Sequence, residues 1–319
     1  MNDELDSFLL EWHSDSPFIR QRTSGSTGAP KVIELPKTKM ISSARMTLHF
    51  FGLHPDSTFL ICLNPDYIAG KMMLVRSLTN HAKTLLTPPE SPLDFPDEFQ
   101  IDFAAMVPLQ VEKCLKNSPE KLKKIRTIII GGAPVSTALE KEIAAAGITA
   151  YATFGMTETT SHIAVRKLGD PNTSYEAIGQ TRFSAGTDEQ LIISSPELEI
   201  DYLETNDVVE LINSTHFIWK GRKDFVINSG GVKLFPEEIE KKIETAGLTK
   251  RFFISGIPDE KLGEKAILII ESESPIDTTP YLVQLTKYEK PKAVLFTPHF
   301  RMTDSGKINR PATLKLFTF

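Results

Sequence analysis

One stretch constrains the fold of this chain more than any other. Ile125 to Ile130 is a β-branched run that ends in Gly131-Gly132, a helical pattern follows over Ser136 to Ala146, and a second strand runs from Ile148 to Thr153. Strand, glycine turn, helix and strand at this spacing make a βαβ unit, whose strands lie parallel because the helix carries the chain back to the starting edge. Parallel sheets are covered on both faces, so the unit predicts an α/β domain. Ligands of such sheets sit beyond the carboxyl ends of the strands, so the Gly131 to Pro134 loop and the segment after Thr153 are expected to share one crevice.

The flanking pattern extends this reading. Ile41, Ala44, Leu48 and Phe51 recur at helical spacing from Thr38 on, and Thr58 to Leu63 reads as a buried strand. A helix near Gly70 to Leu78, strands at Thr84 to Thr87 and Phe103 to Val107, and a helix at Leu109 to Lys116 continue the alternation. After Glu189 the character changes: strands at Leu191 to Ser194, Val208 to Ile212 and His216 to Trp219, with no helices between them, predict an antiparallel lobe. From Lys223 on, a hairpin around Gly230-Gly231 leads into a helix whose first turn carries Pro236, Glu237 and Glu238. Strands at Phe252 to Ser255 and Ala266 to Glu271, a helix near Tyr281 to Lys287 and a strand at Ala293 to Phe296 predict a small α+β domain. The boundary falls at Gly221-Arg222-Lys223-Asp224, dividing the chain into 1–222 and 223–319.

Composition narrows the partners. With 319 residues, 40% apolar and 24% charged, the chain can fill two such cores. Its 36 basic against 41 acidic residues leave a net charge of -5, which gives no electrostatic footprint for nucleic acid or an anionic membrane. An anionic ligand therefore needs local positive charge. Cys62 and Cys114 are isolated, form no disulfide framework or zinc site, and read as packed apolar residues. The acidic stretch from Met1 to Arg20 lacks the pattern of a signal peptide, and no apolar run approaches the roughly 18 residues of a membrane helix, so a reducing cytoplasm and no membrane insertion are expected.

Four segments can carry chemistry. Thr23-Ser24-Gly25-Ser26-Thr27-Gly28-Ala29-Pro30-Lys31 gathers hydroxyls, glycines and a lysine, donors suited to phosphate. Neither the usual nucleotide loop nor the nucleophile elbow fits it, because Pro30 and Val32 break the first pattern and Ser24 the second. At the end of the βαβ strand lies Tyr151-Ala152-Thr153-Phe154-Gly155-Met156-Thr157-Glu158-Thr159, where Glu158 can hold Mg²⁺ and Thr157 can donate to a phosphate oxygen. The others are Gly221 to Asp224 with Asn228 to Lys233, and Thr303-Asp304-Ser305-Gly306-Lys307-Ile308-Asn309-Arg310. Taken singly, each also reads as turn chemistry with solvated charges.

In this order the segments resemble the core motifs of the adenylate-forming superfamily of acyl- and aryl-CoA ligases, adenylation domains and luciferases. The resemblance implies an ATP-dependent enzyme with a large N-terminal domain and a small mobile C-terminal one. In such an enzyme a carboxylic acid attacks the α-phosphate of ATP to give acyl-AMP and pyrophosphate, after which the thiol of CoA displaces AMP. It further implies that Ser24 to Lys31 hold the distal phosphates, Thr157 the α-phosphate and Glu158 the Mg²⁺. Gly131, Gly132, Ala133 and Pro134, with Tyr151, Thr153 and Phe154, would wall the adenine, Asp207 and Arg222 would hold the ribose, Lys307 would neutralise charge at the α-phosphate, and Asp224 would be the hinge.

The phosphate motif begins at residue 23, far nearer the amino terminus than is usual in the family, which implies that a leading subdomain is absent and that the surface it would cover pairs with a second copy. Tyr67 stands where the acyl-pocket motif commonly has His, and Asn206 where the ribose motif has Gly. Ser161 to Arg166, directly after the TET motif, makes the chain similar to compact 2-succinylbenzoate CoA ligases of menaquinone biosynthesis. Such an acid carries two carboxylates, and Tyr67, Gly70, Lys71, Arg76, Ser161 and His162 are the candidates to receive it, although Lys71 and Arg76 also read as solvated helix charges. Two rival readings are an amino-acid adenylating enzyme, with Asp66 near the ammonium-binding position, and a nucleotide-binding module without catalysis, which would have no use for Lys307.

Overall fold

A computed structural model describes residues 2–22, 32–89, 93–170, 174–303 and 308–318. The chain opens with helix α1 (Asn2–His13), and strands β1 (Phe18–Arg22) and β2 (Val32–Pro36) pair antiparallel before helix α2 (Lys37–Phe50). The parallel sheet follows: β3 (Thr58–Ile61), α3 (Ile68–Asn80), β4 (Lys83–Leu86), β5 (Ile101–Met106), α4 (Pro108–Asn117), α5 (Pro119–Lys123), β6 (Ile125–Ile130), α6 (Thr137–Ala145) and β7 (Ala150–Gly155). β6 and β7 pair in parallel, as the βαβ pattern demands, and α6 starts where Ser136 Oγ caps the Leu139 N–H at 3.2 Å.

Alternation along these strands builds two cores. Leu60, Ala104, Met106, Ile128 and Ile130 face Val111 and Cys114 of α4 and Leu139 and Ile143 of α6. Their neighbours Phe59, Ile61, Phe103, Ala105 and Ile129 face Met40 and Leu48 of α2 and Met72 and Val75 of α3. Cys62 and Cys114 both lie in the first core, and burial pushes the Cys62 thiol up to about 12, which keeps it an inert packed side chain.

The antiparallel strands correct one expectation. β8 (His162–Lys167), β9 (Tyr175–Ala177), β10 (Arg182–Ala185), β11 (Gln190–Ser195), β12 (Ile200–Asn213) and β13 (His216–Arg222) form no separate lobe. They extend the parallel sheet into one sheet of 11 strands, ordered β10-β11-β12-β13-β9-β8-β7-β6-β5-β3-β4. Register shifts interrupt β11–β12 and β12–β13, and such bulges increase local bend and twist. Ile163, Val165, Leu191, Ile193, Val209 and Phe217 there enclose a third core, joined by Met46 of α2.

A second sheet begins after a short 3₁₀ turn at Lys223–Phe225. It contains β14 (Ile227–Ser229), β15 (Val232–Leu234), β16 (Phe252–Asp259), β17 (Gly263–Glu271) and β18 (Ala293–Thr297), with helices α7 (Pro236–Thr245), α8 (Thr279–Leu282) and α9 (Arg310–Leu314). β18 runs parallel to β17, whereas the other pairings are antiparallel. The helix expected near Tyr281 to Lys287 is only the four residues of α8. Thr286 turns the chain there, its N–H donating to the Glu289 carboxylate at 2.9 Å while Lys242 of α7 holds the other oxygen of Glu289.

The two sheets meet along a polar seam. Lys220 of β13 bridges Glu210 at 2.8 Å and Glu238 of α7 at 3.2 Å, and Lys223 and Lys233 both approach Asp188. The Glu237 carboxylate lies where a Cβ on residue 221 would stand, so Gly221 is a requirement of this docking. A cavity of about 190 Å³ at the seam is lined by Asp188, Lys223, Asn228 and Lys233 among others. Among the described residues no helix is long and apolar enough to cross a membrane.

Candidate functional site

The carboxyl ends of β6 and β7 place two of the expected loops side by side. Gly131 follows β6 with its N–H on the Met106 carbonyl, and a Cβ on residue 131 would overlap Thr153 Oγ1, which itself donates to Ile130 O at 3.2 Å. Gly132 takes a φ of +83°, a conformation that strains any residue with a Cβ, and Ala133 and Pro134 are exposed on the rim. Beyond β7 the chain doubles back tightly between Gly155 and Ser161. A Cβ on residue 155 would overlap the Ser161 carbonyl, and Thr159 Oγ1 donates to Ser161 O at 2.7 Å while accepting from the Met156 N–H at 2.9 Å. This turn leaves Glu158 exposed and Thr157 half-buried at the sheet edge.

The aromatic candidates divide between the faces of β7. Tyr151 packs edge-on against Phe51 on the side of α2, with ring centroids 5.2 Å apart, whereas Phe154 packs against Tyr175 and Phe217.

Asp207 and Arg222 stand opposite each other on β12 and β13. The Trp219 indole N–H donates to Asp207 Oδ1 at 2.8 Å, and Arg222 Nη1 lies 3.9 Å from Oδ2. Burial raises the Asp207 carboxyl above its ordinary range, against the pull of that indole and of Arg222. Arg222 also holds Asp224 at 3.2 Å, which joins the Asp207–Arg222 pair to the turn between the sheets. Trp219 was not a sequence candidate, because only the β12–β13 register brings it to Asp207.

The acyl candidates separate into two groups. Tyr67 is 66% exposed at the start of α3, and Gly70 has a packing reason, since a Cβ there would overlap the Asn64 carbonyl. Lys71 is buried, which corrects its reading as a solvated charge: its ammonium donates to Arg20 O at 2.7 Å, within the field of Glu11 and Asp66. Arg76, Ser161 and His162 come together, and the reading of Arg76 as a solvated charge is corrected: it is 1% exposed, because α3 is enclosed between α2 and the sheet. Its Nε donates to Thr47 Oγ1 at 3.2 Å, and its Nη2 to Ser161 Oγ at 3.0 Å and His162 Nδ1 at 3.3 Å. His162 Nε2 lies 3.1 Å from the same Thr47 oxygen. Among the described residues no carboxylate lies within ion-pair reach of Arg76. Burial alone brings the guanidinium down to about 9, and burial with the Arg76 charge holds His162 well below the usual imidazole range.

That depression has a measurable sign. Below the ordinary imidazole value of about 6.5 the unfolded chain takes up a proton that the folded chain refuses, so the unfolded state binds more protons and stability falls as pH is lowered. We expect a loss approaching ~1.4 kcal/mol per pH unit from this group as the pH drops from 6.5 toward 5. Chemical denaturation across that window should show a pH slope in the parent that exceeds that of His162→Gln by about this amount; equal slopes would contradict a neutral buried imidazole.

Thr23, Ser24, Gly25, Ser26, Thr27, Gly28 and Lys31 lie outside the described residues, as does Lys307. The flanks of both segments are nonetheless defined. The 23–31 segment connects the paired strands β1 and β2, and Met302 and Ile308 form an antiparallel bridge around 304–307. Arg310, just after that loop, is anchored to Glu240 at 2.9 Å and lies over the Phe225 ring at 4.7 Å.

Against known proteins, a family model described as AMP-binding enzyme matches residues 8–188. A 2-succinylbenzoate--CoA ligase from Listeria monocytogenes serotype 4b (strain F2365) is 26% identical over 96% of this chain and 72% of its own. One from Haemophilus influenzae is 23% identical with the same coverage. Among solved structures, the acyl-CoA synthetase (AMP-forming)/AMP-acid ligase II-like protein from Dyadobacter fermentans is 34% identical, covering 98% of this chain and 93% of its own at a TM-score of 0.65. The O-succinylbenzoate coenzyme A synthetase from Bacillus subtilis, in complex with ATP and magnesium ion, superposes at a TM-score of 0.78 with 20% identity, over 92% of this chain and 69% of its own. At that identity the likeness is one of fold.

Proposed function

The chain belongs to the AMP-binding enzyme family, and on that premise we propose that it joins 2-succinylbenzoate to coenzyme A. It is an adenylate-forming acyl-CoA ligase. The choice of acid rests on Arg76. A buried guanidinium without a carboxylate in reach among the described residues is costly, and its charge is best met by an anion that arrives with the substrate. Ser161 ties Arg76 to the turn that carries Thr157 and Glu158, so the cation stands beside the reacting end of the sheet. An acid with two carboxylates fits this arrangement: one reacts and the other neutralises Arg76. 2-Succinylbenzoate is such an acid, and it is the substrate in the names of the curated relatives.

In the proposed reaction a carboxylate oxygen attacks the α-phosphorus of ATP and pyrophosphate leaves. The CoA thiol then attacks the acyl carbon, losing its proton, and AMP departs. The 23–31 segment holds the distal phosphates, Thr157 donates to the α-phosphate, Asp207 accepts from the ribose hydroxyls, and Lys307 neutralises the charge that builds at phosphorus. Magnesium, when bound, would neutralise phosphate charge. Glu158 would hold it, because an exposed single carboxylate beside a phosphate site suits an ion that keeps waters and takes one or two carboxylates. The turn at Lys223–Phe225, with Asp224 in it, is the proposed hinge between 1–222 and 223–319.

The test is mass spectrometry of the protein incubated with ATP, Mg²⁺, CoA and separate acids. Succinylbenzoyl-CoA and AMP from 2-succinylbenzoate, well above the yield from benzoates, fatty acids or amino acids, are expected. An amino-acyl adenylate as the main product would overturn the substrate and keep the first half-reaction. No AMP from any acid would leave a nucleotide-binding module.

A further inference from the structure

We propose that His162 and Thr47 are positioning residues that fix the Arg76 guanidinium toward Ser161 while adding no charge of their own. The inference rests on the reading that Arg76 receives the second carboxylate of the acid. Proton bookkeeping supports it. Arginine only donates, so His162 Nδ1, which faces Arg76 Nη2 at 3.3 Å, must be an acceptor, and the imidazole proton resides on Nε2. Nε2–H then donates to Thr47 Oγ1 at 3.1 Å. That oxygen also accepts from Arg76 Nε at 3.2 Å and donates its own proton to the Ser43 carbonyl at 3.1 Å, so both lone pairs and the single proton are used.

The result is a closed ring in which every member fixes the next. Nε is tied to Thr47, while Nη2 is tied to His162 and Ser161, so one edge of the guanidinium is held by α2 and β8 together. Arginine loses rotamer freedom on binding an anion unless its plane is already fixed, and the ring supplies that fixation before substrate arrives. A protonated His162 would place a second cation against Arg76 and turn its acceptor into a donor. Burial prevents this: His162 is 6% exposed and Thr47 fully enclosed. Arg76 is the charged group facing the imidazole, so the cluster carries one positive charge, matched to one carboxylate.

Three substitutions test the proposal. His162→Phe removes both ring contacts, Thr47→Val removes the shared acceptor with little change in volume, and His162→Gln keeps one acceptor for Arg76 and one donor for Thr47. The expected result is a KM for 2-succinylbenzoate raised at least tenfold in His162→Phe and Thr47→Val, and kept within about threefold in His162→Gln. KM for ATP and kcat should stay within twofold in all three. With 4-oxo-4-phenylbutanoate, which lacks the ring carboxylate, the same variants should show no change in KM. The independent readout is the Arg76 Nε–H signal in ¹H–¹⁵N spectra, assigned by its loss in Arg76→Met. Slow solvent exchange is expected in the parent and His162→Gln, and fast exchange in the other two. An Nε–H that exchanges slowly in His162→Phe and Thr47→Val overturns the positioning role, as does an equal KM increase for both acids. If the exchange pattern holds while no variant or parent prefers the dicarboxylate, positioning stands and the substrate reading falls.

Discussion

Replacing Arg76 with methionine is expected to lower kcat/KM for 2-succinylbenzoate by about 100- to 1000-fold without lowering the thermal unfolding midpoint. The two halves of this expectation have one cause. A buried charge that meets its counter-charge only in the complex contributes about 3–4 kcal/mol there, each 1.4 kcal/mol being tenfold. In the free protein the same charge is desolvated with no carboxylate within reach among the described residues, and neutral apolar replacements of buried charges are often tolerated or stabilising. The methylene stem of methionine fills the space along α3, and the cost removed with the charge offsets the Thr47, Ser161 and His162 acceptors left behind. Steady-state kinetics with 2-succinylbenzoate and with 4-oxo-4-phenylbutanoate, beside scanning calorimetry, decide the matter. An equal loss with both acids would show that Arg76 does not meet the second carboxylate, and a midpoint lowered by ten degrees or more would make it a structural cation.

Lys307→Ala is expected to slow acyl-adenylate formation by about 100-fold or more while ATP affinity changes only a few-fold. The attack of a carboxylate on phosphorus brings two anions together, so a cation aimed at the developing charge is worth more in the transition state than in the ground state. Removing one such donor costs ~2.7–4 kcal/mol. On either side of residues 304–307, Met302 and Ile308 form an antiparallel bridge and Arg310 is anchored on Glu240. Acid-dependent exchange of pyrophosphate into ATP measures the step, and calorimetric titration measures the affinity. An unchanged exchange rate would remove Lys307 from the chemistry.

Much of the fold was legible because local pattern and final environment agree. The run at Ile125 to Ile130, the turn at Gly131-Gly132 and the cap at Ser136 each specify one local structure, and β6, α6 and β7 followed within two residues. The continuity of the sheet from β7 into β8 was not legible, since it depends on pairings and register shifts between distant strands. In the site, Ser161, His162 and Arg76 were named from the sequence, but the enclosure of Arg76 was not. A charge on a helix reads as solvated unless the packing on both sides is known, and α3 is covered by α2 as well as by the sheet. Thr47 and Trp219 gave no signal of their own, because a threonine inside a helix and a tryptophan on a strand acquire their roles only from what the fold places opposite them.

The seam between the two sheets has a further consequence. None of the apolar cores among the described residues crosses it: the first three end at Trp219 and the others begin at Ile227. Among the described residues the halves are joined by a short 3₁₀ turn, by lysine–carboxylate pairs, by the Lys223–Gln190 and Thr137–Glu244 hydrogen bonds and by the Arg222 N–H on Glu237. Exposed pairs of this kind contribute at most ~1 kcal/mol each and are screened by salt. The faces that meet there carry these charges beside a few apolar side chains, Val208, Val226 and Phe235 among them, so the contact is largely one of charge with charge. Raising the ionic strength therefore weakens the pairs across the seam.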